Sequence, residues 1–242
     1  PGGGPADIDE KTTADMVRYA MDHGVNYFDT AYPYHGGMSE RVIGRVLKDY
    51  DRQSFYLATK YPGHQISDSY DPAAIFEEQL QKCGVEDFDF YLLHNVGGER
   101  TAKFDAYGMW DFALDAKERG LIRNVGFSMH DGADALDALL TAHPQMDFVQ
   151  LQVNYLDWDD PVVEARRCME VAAKHGVPVV VMEPARGGRL VELPEQVAAI
   201  LRQANPEASL ASWAYRFCYQ LPGVLTVLSG MSTIGQVRQN VA

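Results

Sequence analysis

The chain has 242 residues, 46% of them hydrophobic, enough for one large domain, 1–242, with a substantial core. Its formal net charge of −13 argues against nucleic acid or an anionic membrane surface as a partner, since binding phosphate needs a basic face. No apolar stretch approaches a membrane span, and no secretory signal is expected. Cys83, Cys168 and Cys218 are scattered without metal-ligand spacing, which fits a reducing compartment, so a cytoplasmic enzyme is expected.

Strands are predicted at 25–29, 55–60, 88–93, 122–128, 147–153, 178–182 and 224–228, all parallel, with helices between them. A helix over Thr13–Ala20 precedes the first strand. Asp71-Pro72 supplies a cap and a first-turn proline for a helix with Ile75, Phe76 and Leu80 on one face. Gly84, Gly120 and Gly176 follow helical segments, where glycine commonly ends them. Val179-Val-Val-Met182 is apolar throughout, as suits a strand buried on both faces. The alternation of strand and helix runs from end to end without a linker.

Polar residues stand at the carboxyl ends of the first three strands. Asp29 and Tyr34 close Asn26-Tyr-Phe-Asp-Thr-Ala-Tyr-Pro-Tyr34, Lys60 closes Phe55–Lys60, and His94 closes Phe88–His94. Neighbouring parallel strands would bring these side chains to one end of the sheet, where α/β folds place their chemistry. A free phenol, with a pKa near ~10, is a weak acid at neutral pH. An adjacent ammonium favours the phenolate, a carboxylate holds that ammonium, and an imidazole orients a carbonyl oxygen or relays a proton. Tyr34 is then the general acid, Lys60 its activator, Asp29 the anchor and His94 the orienter. Taken singly, each has a plainer role: Asp29 as a cap, Lys60 as a solvated strand end, His94 as a hydrogen-bonded histidine, Tyr34 as part of a cluster with Tyr32, Pro33 and Tyr61.

Gly24-Val-Asn-Tyr-Phe-Asp-Thr-Ala31 with Tyr34 and then Ser39-Glu40, Ala58-Thr-Lys60, Leu92-Leu-His94, Gly120–Ser128 and Gln150-Leu-Gln-Val-Asn154 come in one order, and that order resembles the aldo-keto reductase superfamily. The resemblance implies a TIM (β/α)8 barrel. Its first strand should precede the helix at 13–20, where only Pro1-Gly-Gly-Gly-Pro5 and a short polar stretch stand. Its last helix should continue past Asn240-Val-Ala242, so a domain incomplete at both ends is expected. Gly126-Phe-Ser-Met-His-Asp131, Met182-Glu-Pro-Ala-Arg-Gly-Gly188 and Leu228-Ser-Gly-Met231 resemble the subgroup of predicted iron–sulfur oxidoreductases. That narrower likeness implies 4Fe–4S clusters in a C-terminal region outside this chain, and a redox partner protein.

The resemblance also implies NAD(P)H. Ser128 and Gln152 match positions that hold a nicotinamide carboxamide, although structural hydrogen bonds would use the same residues. Arg186 and Gly187, within Glu183-Pro-Ala-Arg-Gly-Gly-Arg189, are candidates for the pyrophosphate. Gln236 and Asn240 match the adenosine-binding segment, or simply cap a helix. Met129, Met182 and Glu183 depart from the family pattern, and no cation stands near Ser232 except Arg238. NAD, NADP and a flavin nucleotide all stay open, with a nicotinamide expected. The expected function is hydride transfer between that cofactor and a small-molecule carbonyl or alcohol. The alternatives are an electron-transfer protein and a barrel that senses nicotinamide without turnover. The protein metal ligands expected within the chain are none, and His130 is expected to be a loop histidine.

Overall fold

The computed structural model describes residues 7–63 and 71–241. The Pro1–Pro5 stretch discussed above lies outside them. The strands are β1 (Tyr27–Asp29), β2 (Tyr56–Tyr61), β3 (Phe88–Val96), β4 (Ile122–Met129), β5 (Phe148–Gln152), β6 (Val179–Met182) and β7 (Val224–Val227). The helices are α1 (Glu10–Asp22), α2 (Ser39–Leu47), α3 (Pro72–Cys83), α4 (Thr101–Ala106), α5 (Met109–Glu118), α6 (Ala133–Ala142), α7 (Ala165–His175), α8 (Glu195–Ala204), α9 (Leu210–Tyr219) and α10 (Ile234–Asn240). Packing divides the chain into two compact units, one running to Ser128 and including Ser232–Val241, the other Met129–Met231. The uniform alternation of strand and helix in the sequence carried no sign of that division.

In the first unit β1, β2 and β3 pair in parallel, Asp29 opposite Ala58 and Lys60 opposite Leu92. In the second, β5, β6 and β7 pair in parallel, Val149 opposite Val179. Strands ordered as in the sequence and returned by helices have the connectivity of a (β/α) barrel. There are seven strands among the described residues, as expected, where a closed barrel of this class has eight. Among those residues β1 pairs only with β2, and β7 only with β6. β1 is two residues shorter than its predicted span, and every one of its residues is only partly buried. β6 is apolar because three of its four residues are buried.

Local signals behave as their chemistry requires. Asp71 accepts from Ala74 N at 3.1 Å, with Pro72 next in the first turn of α3. Gly84 closes that helix at φ 66°, a conformation only glycine adopts without strain. Phe76 on α3 meets Phe88, Tyr91 and Phe112 edge to face at 5.7, 5.2 and 5.8 Å, which ties α3 to β3 and α5. At the amino ends of the strands, buried Asp89 pairs with Arg52 and Arg123 at 2.8 and 3.1 Å and accepts from Leu57 N. The three cysteines are unpaired and buried. Burial pushes the thiols of Cys168 and Cys218 up to about 11 and about 12, and that of Cys83 higher still. No helix among the described residues is long and apolar enough to cross a membrane.

Helices α2 and α3 cross closely at Gly44. A Cβ there would stand 2.6 Å from the carbonyl oxygens of Lys82 and Cys83, both backbone atoms that cannot rotate away. Gly44→Ala should therefore cost about 1–3 kcal/mol of stability, as overpacking of a filled interior does. Urea unfolding followed by circular dichroism measures it, and an unchanged midpoint would show that the helices part without cost.

Candidate active site

The site begins where β1 ends. Backbone bonds from Thr30 N to Ala58 O at 2.9 Å and from Tyr32 N to Lys60 O at 3.5 Å carry the chain on beside β2. It then turns through a short 3-10 segment, Tyr34–Gly37, in which His35 sits at φ 52°. A non-glycine residue with positive φ is strained unless its surroundings fix it. Of the five such residues among those described, three follow the carboxyl end of a strand, His35, Glu183 and Arg186, and Asn95 lies in the last residues of β3. Strain of this kind gathers at ligand-binding ends.

Lys60 is fully buried on β2, and its ammonium needs acceptors. Nζ donates to Asp29 Oδ1 and, at 2.8 Å, to the carbonyl of Thr30. Its third neighbour is the face of the Tyr34 ring, whose centroid lies 4.9 Å away. Burial raises the pKa of Asp29 above the usual carboxylate range, with the Lys60 ammonium acting in the opposite direction. Asp29 Oδ2 has no hydrogen-bond partner among the described residues. The Tyr34 ring is 36% exposed and meets the His94 ring edge-on at 5.6 Å and 80°. Asp29, Tyr34, Lys60 and His94 are thus gathered at one place in the first unit. Tyr32 donates to Glu78 at 3.0 Å and lies under Lys82 Nζ at 3.8 Å.

The other candidates have neighbours of their own. Ser128 is buried at the end of β4, and its Oγ accepts from Asn95 N at 2.9 Å. That bond holds the backbone just past His94, where Asn95 takes φ 56° within β3 and its carbonyl accepts from Arg100 Nε at 2.8 Å. In the second unit Gln152 Nε2 donates to Asp157 Oδ2 at 2.8 Å, and its Oε1 faces His130 Nδ1 at 3.4 Å. Asp157 is fully buried, and it also accepts from Asn154 Nδ2 at 2.7 Å and pairs with Arg186 at 3.1 Å. Arg186 and Gly187, at φ 47° and 61°, therefore form a bent loop whose cation is already balanced. Gln236 caps α10, its Oε1 accepting from Ser232 N and Thr233 N at 2.7 and 3.2 Å. Asn240 is the last residue of that helix, and the Arg238 guanidinium stands 5.4 Å over the Tyr19 ring.

Sequence reasoning missed Asp157, the hub that links Gln152 to Arg186, and it passed over Glu40 and Gln79 beneath Lys60. Gln79 left a signal: it falls on the same helical stripe as Phe76, Leu80 and Cys83, where a polar residue must find buried partners. Asp157 left none, because beside the nearby amides of Gln152 and Asn154 its counter-charge, Arg186, is brought to it only by the loop after β6.

A family match, described as the aldo/keto reductase family, covers residues 1–242. The chain belongs to the aldo/keto reductase family. Among curated proteins it is 25% identical to the NADH-specific methylglyoxal reductase of Escherichia coli K12, across the whole of this chain and 86% of that protein. Among solved structures it superposes on the aldo-keto reductase AKR11C1 from Bacillus halodurans, holo form, with a TM-score of 0.74 and 24% identity over 98% of this chain and 83% of that one. An aldo-keto reductase from Klebsiella pneumoniae in complex with NADPH gives a TM-score of 0.72 at 21% identity, covering 98% and 81%. The family's TIM-barrel-like α/β fold is thus the fold of this chain, and the family is one of oxidoreductases.

Removing one member of a buried ion pair strands the other. Asp29→Asn should cost about 3–5 kcal/mol by leaving the Lys60 ammonium uncompensated. Asp29→Asn combined with Lys60→Met should cost clearly less than the two single changes together. Urea unfolding of the three variants measures this, and strictly additive losses would mean that the pair is not coupled.

Proposed function

We propose that the protein transfers a hydride between NAD(P)H and a small carbonyl or alcohol, with Tyr34 as general acid and base. The observation that carries this is the half-open Tyr34 phenol standing edge-on to His94, with the buried Lys60 ammonium against its ring face. The nicotinamide supplies the hydride when bound. The chain's own residues handle the proton. A carbonyl that gains a hydride becomes an alkoxide and needs a proton at its oxygen. Tyr34 is exposed enough to reach a substrate oxygen, and the Lys60 charge favours the phenolate that remains after donation. Asp29 and the Thr30 carbonyl keep that charge in place without solvent. His94 is placed to direct the carbonyl oxygen toward the phenol. Read in reverse, the same groups remove the proton of an alcohol.

For the cofactor, Ser128 in the first unit offers a hydroxyl and Gln152 in the second a carboxamide, each a chemistry that a nicotinamide amide can use. The phosphate end is less cationic than its sequence suggests, because Asp157 balances Arg186 and Arg238 lies on Tyr19. A 2′-phosphate calls for arginine or lysine donors close by. The name of the Escherichia coli relative, an NADH-specific reductase, supports the same reading and makes methylglyoxal the first substrate to test. The likeness to iron–sulfur oxidoreductases, with 4Fe–4S clusters and a redox partner, rests on its three sequence motifs alone.

Tyr34→Phe should abolish reduction of methylglyoxal and of a carbonyl panel while nucleotide affinity stays within about twofold, because only the proton donor is removed. Steady-state turnover and calorimetric titration measure the two quantities, and near-native turnover would remove Tyr34 as the acid. NADPH should bind no more than about tenfold tighter than NADH, ~1.4 kcal/mol. Parallel titrations giving a preference of about a hundredfold or more, lost in Arg238→Ala, would overturn this.

A further inference from the structure

Glu40 lies in the first turn of α2, directly behind the turn that carries Tyr34, and it is fully buried. Its Oε1 accepts from Thr59 Oγ1 at 2.6 Å and from Gln79 Nε2 at 2.7 Å. The same Gln79 nitrogen donates to the carbonyl of Lys60 at 3.1 Å, and Gln79 Oε1 accepts from the Tyr91 hydroxyl at 2.7 Å. On the far side Glu40 Oε2 faces Lys82 Nζ at 3.6 Å, and Lys82 pairs with Glu78 at 2.8 Å. Next to Glu40, Ser39 Oγ accepts from Thr30 Oγ1 at 2.8 Å, and the Thr30 carbonyl is the one that holds Lys60 Nζ. Burial raises the pKa of Glu40, so the carboxylate occupies this position against a desolvation cost.

We infer that Glu40 is a positioning residue for the Tyr34–Lys60 pair. It ties the start of α2, and with it the Tyr34 turn, to the Thr59 hydroxyl and, through Gln79, to the Lys60 carbonyl, and so sets the separation between phenol and ammonium. The inference rests on Tyr34 and Lys60 acting as proposed above. A plain stabilising role would use the same hydrogen bonds but would leave the chemistry of the folded protein untouched. Without Glu40 the Thr59 hydroxyl and the Gln79 amide lose their common acceptor, and the strand and the helix no longer share an anchor. A displacement on the order of 1 Å in such a site costs about a hundredfold in rate.

Glu40→Gln and Glu40→Ala, each made in the native and in the Lys60→Met background, test this. One readout is NADH- and NADPH-dependent reduction of methylglyoxal. The other is acylation of Lys60 by an N-hydroxysuccinimide ester of acetate in the nucleotide-free protein, mapped by peptide mass spectrometry. Hydrogen exchange at Val179–Met182 reports whether the rest of the fold is intact. Glu40→Ala should lower kcat about a hundredfold with KM within about twofold, and should raise Lys60 acylation about tenfold. Glu40→Gln keeps one oxygen that can accept both bonds, so kcat should stay within about threefold and Lys60 should stay protected. In the Lys60→Met background Glu40→Ala should have no further effect on residual kcat. Should Glu40→Ala not fold, Gln79→Leu removes the bonds to Glu40 and to the Lys60 carbonyl and is read in the same way. A folded variant with native kcat and native protection of Lys60, or an equal loss in the Lys60→Met background, overturns the inference. If the native protein reduces neither methylglyoxal nor a carbonyl panel, the functional reading fails, while the acylation result still decides whether Glu40 holds Lys60.

Discussion

A lysine with no solvent exposure is the constraint around which the first unit is arranged. An ammonium in such a place survives only if each hydrogen finds an acceptor and its charge finds a counter-charge. Asp29 Oδ1, the Thr30 carbonyl and the Tyr34 ring face meet that demand. All three come from one stretch of chain, the end of β1 and the turn that follows it. Their positions depend on the register that sets Asp29 opposite Ala58 and on the backbone bonds that carry the turn along β2. The strained φ of His35 is one result: the chain must reverse at once to lay the Tyr34 ring over Lys60. The same charge that burial makes costly is the one that would favour a phenolate, so stability and the proposed chemistry draw on a single interaction.

The second unit solves a related problem in the opposite way. There the buried charge is an acid, Asp157, and it takes the amides of Gln152 and Asn154 and the guanidinium of Arg186. A cation that looks available in the sequence is neutralised where it stands. A phosphate at this loop, as proposed, would then rely on backbone amides more than on net charge. Glu183 and Arg186, both at positive φ, hold the loop in a shape that an ordinary turn would not adopt.

Much of this was legible in the sequence, for local reasons. Strand spans were read from apolar runs and fell within a few residues, with β3 running on to Val96 past a left-handed Asn95 that the sequence does not announce. α3 was legible because Asp71, Pro72 and Gly84 are start and stop signals that act within one turn. The four polar strand ends could be grouped because parallel register converts spacing along the chain into a shared edge. The pairing of Arg186 with Asp157 was not legible, since Asp157 sits in a different loop and no spacing connects the two. Arg238 likewise reaches Tyr19 across more than two hundred residues of sequence, through the packing of α1 against α10. The polar layer of Glu40, Thr59 and Gln79 is spread over a helix, a strand and another helix, and only the close approach of α2 and α3 brings it together.

Cys83, Cys168 and Cys218 have a practical consequence. All are buried, and their thiols are held in the protonated form by their apolar surroundings. The thiolate is the form that reacts with oxidants and alkylating reagents, so the native chain is chemically silent to them while it stays folded. A maleimide probe would therefore report one thing only, the moment at which the interior opens. It would turn the protein's own side chains into a sensor of local unfolding, with Cys83 reading the α2–α3 crossing and Cys168 and Cys218 reading the second unit.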